Sequence, residues 1–199
     1  MADSNHAIEL NPTNSSLYTE RGLLEIKRVN LDAAIADCSE AIRLAPRDAA
    51  AYRDREIADR KKGDWDGAIA DASNAIEIDP KYALAYNDRG WAEFQKTDFD
   101  KAIVDATYSI QLNSTNGYAF GTRGWARYGK GDLIGAIEDC MKAVKFYGPN
   151  SSEIYFDQGL IDFIKGDYEK AITSWEKVTT QDAAFKMQLQ PWIDKAKIR

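Results

Sequence analysis

Apolar and small residues recur along this chain with a period near 3.6, in short runs broken by polar turns; this is the pattern of amphipathic helices rather than of strands. Residues 83–97 place Tyr86, Gly90, Trp91 and Phe94 on one stripe, and residues 99–112 place Ala102, Ala106, Ser109 and Ile110 on another. Between such runs lie polar or glycine turns, of which Lys62-Gly63-Asp64 is one. In the early part of the chain a proline stands two residues beyond the last apolar position and stops the second helix, because it has no amide hydrogen and clashes with the preceding turn. The pattern predicts pairs of helices, with small residues at fixed sites that let the two helices approach closely.

These pairs repeat. Pro12, Pro46 and Pro80 are spaced 34 residues apart, and the phrase Asn30-Leu31-Asp32-Ala33-Ala34-Ile35 returns from Asp64, Asp98, Asp132 and Asp167 with an Ala-Ile close each time. A fixed period of this length is the signature of a stacked helical array. The last step is one residue longer, and the insertion falls in the loop Gly148-Pro149-Asn150-Ser151-Ser152, where added length costs little. Upstream, Ala7 to Pro12 reads as the end of a second helix whose own pair is incomplete; downstream, Ala183 to Arg199 reads as a further helix in which Pro191 forces a kink or a late start.

The repeat resembles the tetratricopeptide family over residues 15 to about 185. The residues that carry the resemblance are Tyr18, Gly22, Ala34, Ala41 and Pro46, then Tyr52, Ala68, Ala75 and Pro80, then Tyr86, Gly90 and Ala102, then Phe120, Gly124, Ala136 and Ala143, and finally Tyr155, Gly159 and Ala171. The resemblance implies an all-α, right-handed superhelical solenoid: residues 1–14 form a partial repeat or cap, 15–182 form five helix pairs, and 183–199 form a capping helix. The Asp-Arg-Gly and Ala-Ile-Xaa-Asp phrases are similar to those of bacterial repeats.

Several positions depart from plain repeat logic. Arg21, Arg55, Arg89 and Arg123 precede the glycine site of the first helix, and Asp37, Asp71, Asp105 and Asp139 follow sixteen residues later on the second; in the fifth unit both change together, to Gln158 and Ser174. Paired change of this kind predicts a repeated bidentate Arg–Asp contact between the helices of a pair. Glu56 stands at the glycine site of the second unit and requires either a cation nearby, with Arg55, Arg60 and Lys61 at hand, or a wider helix crossing; a hinge or a ligand contact is the other reading. Cys38 and Cys140 occupy one equivalent site in different units, layers apart, so they read as core thiols rather than as a disulfide.

In the family it resembles, first helices line a concave groove that holds partner peptides. Projected onto this chain, that groove takes in Trp91, Phe94, Tyr118, Trp125, Tyr128, Phe156 and Phe163 as a contiguous aromatic patch, with Glu20, Asp54, Asp88 and Asp157 as an acidic row. Either the patch binds a partner or its rings fill the core, and either the acids face a ligand or they neutralise the neighbouring arginines. The carboxylate clamp of chaperone-binding members would fall on Thr19, Leu23, Asp54, Leu84 and Asp88, or one unit later on Arg53, Ile57, Asp88, Tyr118 and Thr122; neither set supplies it.

Composition narrows the function further. A net charge of −6 over 199 residues argues against a nucleic-acid ligand, since phosphate neutralisation needs clustered Lys and Arg. One histidine and two cysteines leave no metal set, the glycine stretches make no phosphate loop, and no nucleophile stands paired with a base, so neither an enzyme nor a cofactor is expected. With no long apolar run and no leader pattern, the chain reads as cytoplasmic, or periplasmic where a signal has been removed. The expected activity is that of a scaffold or adaptor holding a partner peptide of apolar and basic character, without nucleic acid or membrane. The alternative is a self-assembling module that forms a homo-oligomer through its terminal repeat or its groove.

Overall fold

The computed structural model describes residues 2–148, 151–181 and 183–198, the side chains of Ala2 and residues 179–188 excepted. Pro149, Asn150 and Asp182, which carry the expected loop insertion and the boundary of the last helix, lie outside the described residues.

Among the described residues there are twelve α-helices and no strand: α1 (Ala2–Leu10), α2 (Ser15–Lys27), α3 (Leu31–Leu44), α4 (Ala49–Lys62), α5 (Trp65–Ile78), α6 (Ala83–Gln95), α7 (Phe99–Leu112), α8 (Gly117–Gly129), α9 (Leu133–Phe146), α10 (Glu153–Lys165), α11 (Tyr168–Gln181) and α12 (Ala183–Lys197). They fall into two compact units, Met1–Lys96 and Thr97–Arg199. In the first, α2–α3 and α4–α5 are antiparallel pairs, α6 packs on α5, and the first helices α2, α4 and α6 lie side by side. In the second, α8–α9 and α10–α11 are the pairs, α7 packs on α8, and α12 packs on α11. The last helix runs through Pro191 rather than starting after it.

Helix boundaries follow from local chemistry. In three of the five repeated phrases the opening Asp is an N-cap: Asp64, Asp98 and Asp132 accept from the amides of Gly67, Lys101 and Gly135 at 3.0, 3.3 and 2.9 Å, whereas Asn30 makes no such bond. The turn before it needs one residue with positive φ, met by Gly63 (80°), Gly131 (85°) and Gly166 (84°), whereas Val29 (61°) and Thr97 (64°) adopt the same conformation without being glycine.

Each pair closes on residues with almost no side chain. Ala34, Cys38 and Ala41 of α3 and Ala68, Ala72 and Ala75 of α5 are fully or almost fully buried, and the same holds for Ala136, Cys140 and Ala143 of α9. The facing glycines are as constrained: a Cβ on Gly22 would lie 2.9 Å from Cys38 Sγ, and one on Gly124 would lie 2.7 Å from Cys140 Sγ. Both thiols are free and buried, as the sequence predicts for core positions.

Candidate functional site

The expected Arg–Asp contact forms inside both units. Arg21 donates to Asp37 at 2.7 and 2.5 Å, Arg55 to Asp71 at 2.7 and 2.7 Å, and Arg123 to Asp139 at 2.7 and 2.8 Å, each through Nε and Nη2. The third nitrogen makes a contact that the sequence reading missed. Nη1 of Arg55, Arg89 and Arg123 donates to the hydroxyl of Ser39, Ser73 and Thr107 on the preceding second helix, at 3.0, 3.2 and 3.2 Å. Each of these guanidiniums also lies over the ring one turn earlier, on Tyr52, Tyr86 or Phe120. The signal was present: a hydroxyl residue follows Asp37, Asp71 and Asp105 by two, whereas Met141 takes that place after Asp139, one unit before Gln158 replaces the arginine. These arginines are rivets of the stack and are not available to an anionic ligand.

The first helices of the first unit present a mixed face. Trp91 and Phe94 of α6 are half-buried, with ring centres 5.2 Å apart, and Leu23 and Leu84 are exposed. Asp54 is half-buried, and burial lifts its carboxyl to about 6 against the pull of Arg53. Asp88 is buried and is held by Arg53, whose Nε donates to Oδ2 at 2.8 Å, so this member of the acidic row is already paired. Beneath that face Glu56 is fully buried, and neither of its oxygens has a hydrogen-bond partner. Arg60 Nε is 3.4 Å away, close enough for attraction but without a hydrogen bond. Burial above all, then the charge of Asp88, pushes the Glu56 carboxyl up to about 8.

In the second unit the rings expected in an exposed patch are mostly packed together. Trp125 and Phe156 lie tilted against each other with ring centres 4.5 Å apart, and Tyr128 meets Phe163 at 6.4 Å. Trp125, Phe156 and Phe163 are buried, Tyr128 is half-buried, and Tyr118 stays exposed, edge-on to Tyr147. Asp157, placed by the sequence reading in the acidic row, is fully buried: it accepts from Trp125 Nε1 at 2.8 Å and Tyr147 Oη at 2.7 Å, and the Cys140 thiol points at it from 3.8 Å. Aromatic residues at helical spacing can face a groove or the next helix, and a Trp with a polar acceptor within reach is pulled inward. A shallow cleft of about 580 Å³ lies elsewhere in this unit, lined by Gly166, Tyr168, Lys170 and Lys197 among others. Among the described residues no cluster of His, Cys, Asp and Glu could hold a metal ion, and no helix is long and apolar enough to cross a membrane.

Paired helices closing on alanine and glycine, joined by left-handed turns and repeated at 34 residues, define a tetratricopeptide solenoid. Comparison with known proteins agrees. A family profile described as a TPR repeat matches residues 58–96. Among solved structures, a thermophilic TPR protein of Thermus thermophilus, TTC0263, is 16% identical over 93% of this chain and 100% of its own, with a TM-score of 0.74. MamA of Desulfovibrio magneticus RS-1 is 20% identical over 84% of this chain and 94% of its own, with a TM-score of 0.65. YrrB, described as a TPR protein with an unusual peptide-binding site, is 19% identical over 89% and 91%, with a TM-score of 0.62. No curated protein sequence matches. Residues 58–96 thus match the tetratricopeptide family itself, and the chain as a whole has the tetratricopeptide fold.

Proposed function

We propose that this protein is an interaction scaffold that holds a segment of a partner protein, apolar with one or more basic side chains, on the face formed by α2, α4 and α6. The observation that carries this reading is the composition of that face: a half-buried Trp91–Phe94 pair and exposed Leu84 on one helix, with the half-buried carboxyl of Asp54 on its neighbour. Half-buried aromatics supply contact area at little entropic cost, and a carboxylate beside them favours a cation over an anion.

Selection from a random peptide library against the full chain is the test. The reading expects enrichment of peptides that combine apolar side chains with Lys or Arg, and a loss of about tenfold or more in affinity on Trp91→Ala or Asp54→Asn. Enrichment of acidic peptides, or unchanged affinity in both folded variants, overturns it.

A further inference from the structure

We propose that α12 is an internal ligand of an aromatic shelf built by α8, α10 and α11, and that the external ligand of this shelf is a helix carrying an aromatic residue with a lysine three positions later. The inference rests on the reading of first-helix faces as binding faces and adds a second site, in the second unit, with its own recognition rule.

The shelf consists of Trp125 and Tyr128 from α8, Phe163 from α10 and Trp175 from α11. Trp192 of α12 stands on all four. It is edge-on to Trp125 at 5.4 Å and 80°, to Tyr128 at 5.3 Å and 66°, and to Phe163 at 6.0 Å and 90°, and it is tilted on Trp175 at 6.4 Å. Edge-to-face contact sets the positive rim of one ring against the negative face of another, so three such contacts around one indole make a socket rather than a general apolar surface. Lys195, one turn on, completes the pattern: its Nζ is 5.5 Å from the centre of Phe163 and 5.4 Å from that of Trp192. A cation over two rings gains electrostatically from both.

Two features distinguish an occupant from a simple end cap. The first is how burial is divided. Trp125 and Trp175 are fully or almost fully buried and Phe163 is buried, but Trp192 itself remains half-exposed, so the plug lies at the surface of a ring cluster that is also packed by α8, α10 and α11 themselves. The second is Pro191, which lies inside α12 directly before the plug. It removes one intrahelical hydrogen bond and crowds the turn before it, so α12 is a poor helix on its own and keeps its form by docking. A segment held mainly by docking is one that a competitor of the same chemistry can replace. The buried positions Leu189, Ile193 and Ala196 share the face of Trp192, and a partner helix would supply the same stripe.

The probe is a fluorescein-labelled peptide of residues 183–199, titrated into the full chain and into its Trp192→Ala variant. An attached segment competes at an effective concentration on the order of millimolar, so a peptide with a Kd on the order of 10 µM for the emptied shelf should bind the unaltered chain about 100-fold more weakly. A peptide carrying Trp192→Ala should bind neither chain. Equal affinity for both chains, or no binding to a Trp192→Ala chain shown by circular dichroism to be folded, overturns the proposal.

If the variant does not fold, hydrogen exchange on the unaltered chain decides. A docked ligand opens locally, so the amides of residues 192–198 should exchange at least about 100-fold faster than those of α8 and α10. Exchange of α12 only together with α10 and α11 overturns the proposal. The library selection concerns the first unit, so its failure leaves this result standing, and failure here leaves that selection standing.

Discussion

Trp125 Nε1 donates to Asp157 Oδ1 at 2.8 Å across 32 residues of sequence, and both groups are buried. The bond ties α8 to α10, and Tyr147 Oη, at the end of α9, donates to the other oxygen at 2.7 Å. Burial raises the Asp157 carboxyl to about 7, against the hydrogen bonds from Tyr147 and Trp125 that favour its charged form. Asp157→Ala would strand an indole N–H and a phenol in the interior, a cost of about 3 kcal/mol. Asp157→Asn keeps one acceptor and should cost roughly half as much. Urea unfolding followed by tryptophan fluorescence reads both, with the order alanine, asparagine, unaltered chain in rising midpoint; an alanine variant as stable as the parent would show that the carboxylate is not needed.

A buried acid with a raised pKa makes stability fall as pH rises. Glu56 is protonated in the folded state up to about pH 8 but only to about 4.5 when exposed. Between those values the folded chain holds a proton that the unfolded chain has released, so stability contributed by the neutral acid is present below about pH 4.5 and is lost as pH climbs toward 8. Glu56→Gln presents a similar shape without the charge. The variant should match the parent near about pH 5 and exceed it by a few kcal/mol at about pH 8.5. Thermal melts at the two pH values test this; a constant difference between parent and variant would mean that Arg60 compensates the charge fully.

Two glycines are required for different reasons, and substitution separates them. Gly63 has φ of +80° and nothing within 4 Å of where a Cβ would stand, so Gly63→Ala meets only the left-handed backbone penalty of about 1 kcal/mol. A Cβ on Gly159 would collide with Trp175 Nε1 and lie 2.5 Å from its Cδ1. Gly159→Ala therefore forces apart α10 and α11 and should cost about 1–3 kcal/mol, although alanine is the better helix former. Near-ultraviolet circular dichroism distinguishes the two, since only Gly159→Ala displaces the Trp175 indole, which donates to the Phe156 carbonyl at 3.2 Å.

Repeat, helix pairs and the Arg–Asp rivets were legible, and the caps, which the sequence reading passed over, could have been, because each is a relation at fixed spacing in the chain. An Asp that caps a helix acts within three residues, and an Arg that meets an Asp sixteen residues on does so inside one hairpin whose geometry the repeat fixes. Even the hydroxyls under the arginines could have been read from the joint loss of Ser or Thr at Met141 and of Arg at Gln158.

The face on which an aromatic ring lies was not legible. Trp91 and Trp125 hold equivalent places in their repeats, yet Trp91 remains half-exposed while Trp125 turns onto Asp157 and is covered by Trp192. A helical stripe names the side of a helix, but burial on that side depends on which acceptor and which later helix come to meet it. The sequence alone determined a tetratricopeptide array with its local contacts, because those are set by spacing. Only the tertiary structure decided that the carboxyl of Asp157 serves the interior and that Trp192 stands where a ligand had been expected, because long-range contacts depend on packing that no repeat period specifies.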